Sequence, residues 1–299
     1  MGGGGKIQTS NATILRWFLP YVLIASLQYE FAKDGLNYAS PFLLMAGRYL
    51  VVGTIFYFLG GRKIPLDRDA LKVALYASIS TLFWAVGLQY VSPGDSAVLS
   101  YTMPLFSIPI AYFSINEKVS LREVFGAIIG FSGVIIYSIT LSHGSLLIGA
   151  IFTIINAVFW AAYSVYYRKL RNRELAPIFT TQFLLGSIPF VIGSLFFPRV
   201  VPTINFFVDF AYIIFVMGLV QYFLWNKLLR LGRVGKITTM AFAVPATSIF
   251  INAVLTFTAP SWLSVLGAGI MFTGIFVASW QRERKSQPDL LPSQEQTSK

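Results

Sequence analysis

The chain has no cysteine and only one histidine in 299 residues. Disulfides and thiolate chemistry are thereby excluded. One histidine without carboxylates nearby cannot assemble a metal centre of the usual kind. That residue, His143, falls in a short loop between two apolar stretches and reads as a solvated loop residue. Charge is scarce as well. Asp, Glu, Lys and Arg make up 12% of the chain, where a soluble domain carries about 25%. No glycine-rich phosphate loop stands between a strand and a helix, so ATP drive is not expected. These absences argue against an enzyme and against any metal or cofactor.

What is abundant is apolar. Hydrophobic residues make up 56% of the sequence, and the mean hydropathy is +0.67. A run of about 20 such residues spans a bilayer core. Ten runs of roughly that length are legible, at 16–35, 41–60, 70–91, 95–115, 122–141, 144–167, 177–197, 208–229, 235–257 and 261–280. In lipid each must satisfy its own backbone hydrogen bonds, so each is read as a helix. Little sequence lies outside them. The glycine-rich start reads as a flexible tail and not as a cleavable signal, and the polar end at 281–299 reads as disordered.

The net charge of +11 invites a nucleic-acid reading, but its distribution argues otherwise. When successive loops are assigned to alternate sides, 20 of the 23 basic residues fall on one side. Lys33 and Arg199 fall on the other, and Arg48 lies within the second run. The positive-inside rule makes the rich side cytoplasmic and places both termini there. The excess is topological and also suits anionic lipid headgroups. Nucleic acid is not an expected partner. A small-molecule substrate and the lipid bilayer are.

Five residues return at one spacing of 141. Trp84, Gly94, Pro104, Gly126 and Gly133 recur as Trp225, Gly235, Pro245, Gly267 and Gly274. Over 84–133 there are 14 identities in 50 positions without a gap. Apolar composition alone would not put Trp, Pro and Gly in register, so the chain is a tandem duplication. Five helices per repeat is an odd number, and the second repeat therefore enters the membrane from the opposite side. The expected fold is an all-α integral membrane protein of ten transmembrane helices, arranged as two inverted five-helix repeats. The expected organisation is a tail over 1–15, repeats over 16–141 and 144–280, and a tail over 281–299. Inverted repeats of this kind are characteristic of secondary transporters.

The polar and special residues at membrane depth are the candidate sites. Pro104 and Pro245 remove a backbone donor at equivalent places in helices four and nine, and matching interruptions point to the binding and gating region. Glu30 is a carboxylate inside helix one, a functional candidate by default. It could contact substrate, couple protons, or pair with Lys33 one turn later. Arg48 could hold a substrate carboxylate bidentately, but bonding to helix-end carbonyls is equally open, and a structural role is expected. Glu117, beside Lys118, Arg122 and Glu123, is expected to hold the turn between helices four and five. Asn156, Trp160 and Tyr163 share one helical face, and so do Gln221 and Trp225. Trp84 repeats Trp225, and Tyr101 lies one turn before Pro104. Rings beside amides suit an apolar cavity with a few orienting polar groups, although such residues also serve helix packing.

The chain resembles the drug/metabolite transporter superfamily, and within it the EamA family of ten-helix permeases. The first-repeat marks are Ser40-Pro41, Arg48, Gly87-Leu88, Pro104 and Glu117-Lys118-Val119-Ser120, followed by Gly126 and Gly133. The second-repeat marks are Gly149, Trp160-Ala161-Ala162-Tyr163, Trp225-Asn226, Pro245, Gly267 and Gly274. Two positions depart from the pattern: Thr258 stands where a Glu117 equivalent is usual, and Leu184 stands 136 residues after Arg48. The resemblance implies a carrier in the cell membrane that exports small amphipathic metabolites, with amino acids or related compounds as the first expectation. It also supports a cavity-facing segment at Lys33. An organophosphate or nucleotide-sugar exchanger is the alternative, favoured if Lys33 and Arg48 both face the cavity. A passive channel is the other.

Overall fold

The computed structural model describes residues 11–139, 147–257 and 259–280. His143 and Thr258 lie outside the described residues. Within them the chain forms helices and no strand. They follow one another as ten spans. Span one is Asn11–Tyr38, span two Pro41–Leu59, span three Arg68–Gly87 and span five Leu121–Ser138. Span four is Pro93–Ile115, made of helices Pro93–Ser100 and Met103–Ile115. Span six is Leu147–Lys169, span seven Leu175–Phe196, span eight Ile204–Leu231 and span ten Trp262–Ser279. Span nine is made of Val234–Met240 and Ala243–Thr256. Seven of these spans are long and apolar enough to cross a membrane by length and composition alone.

Local chemistry explains where the spans begin. Ser40 accepts from the Leu43 N–H with Pro41 just inside the helix, and Asp67 accepts from the Ala70 N–H. Ser92 with Asp95, and Ser120 with Glu123, form capping boxes in which side chain and backbone satisfy each other. Such caps satisfy the donors that the first turn of a helix leaves unpaired.

The packing repeats with the two halves exchanged. Span three lies along span six, and span one lies along span eight. Span four packs on span six, and span nine on span one. Spans two and seven, four and nine, and five and ten face each other across the centre. This is the pairing of two interlocked inverted repeats about a pseudo-two-fold axis. At the end away from the basic loops, Ala39 and Val200 form a short antiparallel bridge, and Ser40 donates its N–H to the Arg199 carbonyl at 2.9 Å.

Span four breaks at Tyr101-Thr102 and span nine at Ala241-Phe242, just before Pro104 and Pro245. The repeat-related prolines therefore sit at repeat-related breaks. Two irregularities have no counterpart in the sequence pattern. Span seven is interrupted at Ser187, ahead of Pro189. Span eight runs as a π-helix from Tyr212 to Gln221, a rare form that is frequent at functional sites.

Candidate functional site

The two repeats meet around a small central cavity, partly open on one side. Tyr21, Gln28 and Tyr29 enter from span one and Arg48 from span two. Span three supplies Ser80, Thr81 and Trp84, and span four Ser100, Tyr101 and Met103. The second repeat adds Asn156 and Trp160 from span six and Met217, Gln221 and Tyr222 from span eight.

Thr81 and Tyr222 are 141 residues apart, the repeat spacing, and their hydroxyl oxygens are 3.4 Å from each other. Equivalent positions can touch only near the axis that relates them. The cavity therefore lies on that axis, halfway along the spans. Trp84 and Trp225, the most conspicuous repeated pair, do not behave alike. Trp84 lines the cavity and packs edge-on against Tyr29, with ring centroids 5.9 Å apart. Trp225 is fully buried beneath it, between Tyr21 at 5.0 Å and Trp160 at 6.1 Å, and its indole donates to Ser164 Oγ at 3.1 Å.

Of the nine residues singled out as substrate contacts, the fold brings five to the cavity: Trp84, Tyr101, Asn156, Trp160 and Gln221. Asn156 is held at both ends. Its carboxamide oxygen accepts from Ser80 Oγ at 2.7 Å, and its NH2 donates to Ser100 Oγ at 3.0 Å. Gln221 donates to Gln28 Oε1 at 2.8 Å, a bond across the repeats. Tyr163, like Trp225, lies below the cavity. Its hydroxyl donates to Gln182 Oε1 and accepts from Asn226 Nδ2, at 3.1 and 2.8 Å. Together these residues make a floor on the side of the basic loops.

Glu30 and Lys33 are not brought to the cavity. Glu30 is an exposed residue of span one and is not among the cavity's lining residues. Lys33 turns to the end of span three and donates to the carbonyls of Leu88, Gln89 and Val91 at 2.7, 3.1 and 3.0 Å. Cations are favoured at a helix C-terminus, where carbonyls have no partner in the helix. Among the described residues Glu30 and Lys33 form no ion pair. Arg48, expected to be structural, is the one cation among the described residues that reaches the cavity.

Glu117 also differs from expectation. Asn116 takes the left-handed conformation, φ 51°, which a short polar side chain tolerates. The chain turns there, and Glu117 reaches the other repeat instead of its own turn. Its Oε1 accepts the Val234 N–H at 2.6 Å, and its Oε2 lies 3.6 Å from Arg168 Nε. Arg168 caps span eight by donating to the Leu229 and Arg230 carbonyls at 2.8 and 2.7 Å. Glu123 pairs with Arg233 at 2.7 Å. The basic end is thus tied between repeats, below the aromatic floor.

A sequence profile of the EamA-like transporter family matches this chain twice, over 13–139 and over 147–280. The chain belongs to the EamA-like transporter family. It is a member of the drug/metabolite transporter superfamily and a multi-pass membrane protein. One relative of this EamA chain is "Uncharacterized transporter in sor 3'region" of Acidianus ambivalens, 40% identical over 80% of this chain and 94% of that protein. Another is "Probable amino-acid metabolite efflux pump" of Escherichia coli (strain K12), 22% identical over 86% of this chain and 91% of that protein. A crystal structure of a protein 20% identical shares the fold, with a TM-score of 0.73 over 90% of this chain and 97% of that one.

The remaining lining residues, Tyr21, Gln28, Tyr29, Ser80, Thr81, Ser100, Met103, Met217 and Tyr222, were not singled out from the sequence. For Thr81 and Tyr222 a signal existed. They are repeat partners lying one turn before the repeated Trp84 and Trp225.

Proposed function

We propose that this EamA transporter is an alternating-access carrier that exports small amphipathic metabolites, amino acids or related compounds, across the cell membrane. The observation that carries the reading is the cavity on the pseudo-two-fold axis, lined from both repeats by rings and fixed amides. A site shared by inverted repeats can be exposed to either side when one half rocks against the other. Trp84, Tyr101, Asn156, Trp160 and Gln221 are its proposed substrate contacts. Pro104 and Pro245, beside the two helix breaks, are its proposed gating positions. The amino-acid class is supported by the printed name of the relative from Escherichia coli.

The end carrying the basic loops is taken as cytoplasmic on the positive-inside rule, with both termini there. The organophosphate or nucleotide-sugar alternative called for two cations in the cavity. Lys33 is already committed to backbone carbonyls, which disfavours it. The floor of Trp225, Tyr163 and Trp160 with the ion pairs below it disfavours an open channel.

The test is uptake and counterflow in proteoliposomes against a panel of amino acids, nucleosides and phosphate esters. A carrier shows counterflow, in which internal unlabelled substrate accelerates entry of label. Saturable counterflow with an amino acid is the expected result. Conduction without counterflow would replace the carrier by a channel.

A further inference from the structure

Resting on the carrier reading, we infer that Arg48 is the anchor for a carboxylate on the transported molecule, and that the substrate class is small organic acids for which an amine is dispensable. Arg48 lies in the middle of span two and is 1% exposed. A guanidinium does not lose its proton in a protein, so a full positive charge is buried on the cavity wall. Burying a charge without a partner costs several kcal/mol.

Proteins meet that cost with an acidic side chain or with helix-end carbonyls. Neither is found here. The four ion pairs among the described residues all lie at the basic end, and none includes Arg48. Its one hydrogen bond runs from Nη2 to Thr81 Oγ1 at 3.3 Å, while Nε and Nη1 have no partner. The faces of Tyr49 and Tyr222, 5.2 and 5.8 Å from Cζ, offer partial compensation, since ring quadrupoles attract cations. They also hold the guanidinium in place. The contrast with Lys33, whose ammonium has three carbonyls, is direct.

The cavity supplies no anion of its own. None of its described lining residues is Asp, Glu or His. A ligand carboxylate is the group that would meet this cation, through the second N–H of Nη2 together with Nε–H or with Nη1–H, the two forks that the planar guanidinium offers. The same lack of acids means that a substrate ammonium would find only ring faces and neutral oxygens. The carboxylate is thus the required group, and the amine is not. The apolar body of such a ligand would meet Trp84 and Trp160. No second cation is among the described lining residues, so the anchor lies on one side of the axis only and fixes which way round the ligand sits.

The experiment uses the full chain in detergent, with matched probes for three side chains. Alanine, leucine and phenylalanine are each compared with their amides and with the acids that lack the amine. Tryptophan fluorescence and ligand-induced shifts in melting temperature report binding. The acids and the amino acids should bind within about tenfold of each other, and the amides at least tenfold more weakly. In Arg48→Gln the preference for carboxylates should vanish and the empty protein should melt higher, because an uncompensated buried charge is gone. Arg48→Lys keeps the charge without the fork and should bind acids with intermediate affinity.

Several results overturn the proposal. They are equal binding of amides and acids by the wild type, no binding by any probe, or a retained carboxylate preference in Arg48→Gln. Failure of Arg48→Gln to fold, with Arg48→Lys indistinguishable from wild type, would assign Arg48 to the scaffold. Counterflow separates the two readings. Carboxylate-selective binding without counterflow sinks the carrier and spares the anchor. Counterflow of acids and amides alike does the reverse.

Discussion

Gly126 in span five lies against the backbone of Gly274 in span ten. A Cβ on Gly126 would stand 2.6 Å from the Gly274 carbonyl oxygen, and one on Gly267 would stand 2.9 Å from that of Gly133. Gly126 and Gly267 are repeat partners, and so are Gly133 and Gly274. The two contacts are one contact and its image under the pseudo-two-fold axis. Small residues let membrane helices approach closely where lipid offers no hydrophobic drive. Gly126→Ala and Gly267→Ala should each destabilise the protein by about 1–3 kcal/mol, the usual cost of overpacking. Thermal melts in detergent check this, and the two variants should fall together. A variant that melts like the wild type would mean that spans five and ten can separate without cost.

The prolines should act on movement more than on binding. Pro104→Ala together with Pro245→Ala restores two backbone donors and favours continuous helices at both breaks. Substrate affinity should change by less than about threefold, a free-energy change under 1 kcal/mol, while turnover falls by tenfold or more. Affinity comes from fluorescence and turnover from proteoliposomes. Unchanged turnover would return both residues to a packing role.

Glu117 should hold the basic end shut. Glu117→Ala removes both its ion pair with Arg168 and its acceptor for the Val234 N–H. The chain has no cysteine, so a single Ser164→Cys reports access cleanly. Ser164 is fully buried beside Trp225. Alkylation from the basic side by an impermeant maleimide should rise several-fold in the Glu117→Ala background. Equal labelling would show that the aromatic floor closes this end alone.

Glu30 should prove separable from substrate recognition. It is exposed and outside the cavity, so Glu30→Gln should leave affinity and counterflow unchanged. Accumulation driven by a pH gradient is the measurement that could still implicate it. Loss of that accumulation alone would make Glu30 the proton-coupling group.

Asp67, in the loop ahead of span three, carries a predictable pH dependence. Partial burial pushes its carboxyl up, but hydrogen bonds from Arg173 and the Ala70 N–H, with the charge of Arg173, bring it below the usual range. A carboxyl lowered in the folded state stabilises above its unfolded value of about 3.9 and loses that stabilisation as pH falls through the lowered value. Asp67→Asn should therefore flatten the acid side of the stability profile below about pH 4 and lower stability at neutral pH by the same amount, a small one because the pair is well exposed. Melting temperature against pH tests this.

The spans, the duplication and the proline breaks were legible because each leaves a mark along the chain. Depth was legible too, since counting from a span's start locates a residue such as Arg48 or Glu30 along the membrane normal. Direction around the helix was not. Lipid is as apolar as a protein core, so the outer and inner faces of a span carry similar residues and the helical period gives little contrast. That is why Glu30 could be read as cavity-facing when it is exposed, and why Arg48 could be read as a scaffold residue when it lines the cavity. Tyr163 and Trp225 share a face with true lining residues but sit a turn lower, under the floor. The π-helix at Tyr212–Gln221 turns Gln221 and Tyr222 relative to a regular helix, and no residue type announces it.

Thr81 and Tyr222 meet where the two repeats coincide, yet one is small and the other large. In the proposed carrier, two repeats of identical sequence would make the inward-facing and outward-facing conformations two-fold-related copies of one energy and equally populated. An unequal pair removes that degeneracy. The resting conformation is then set by the positions at which the repeats have drifted apart, and the shared positions have no say in it.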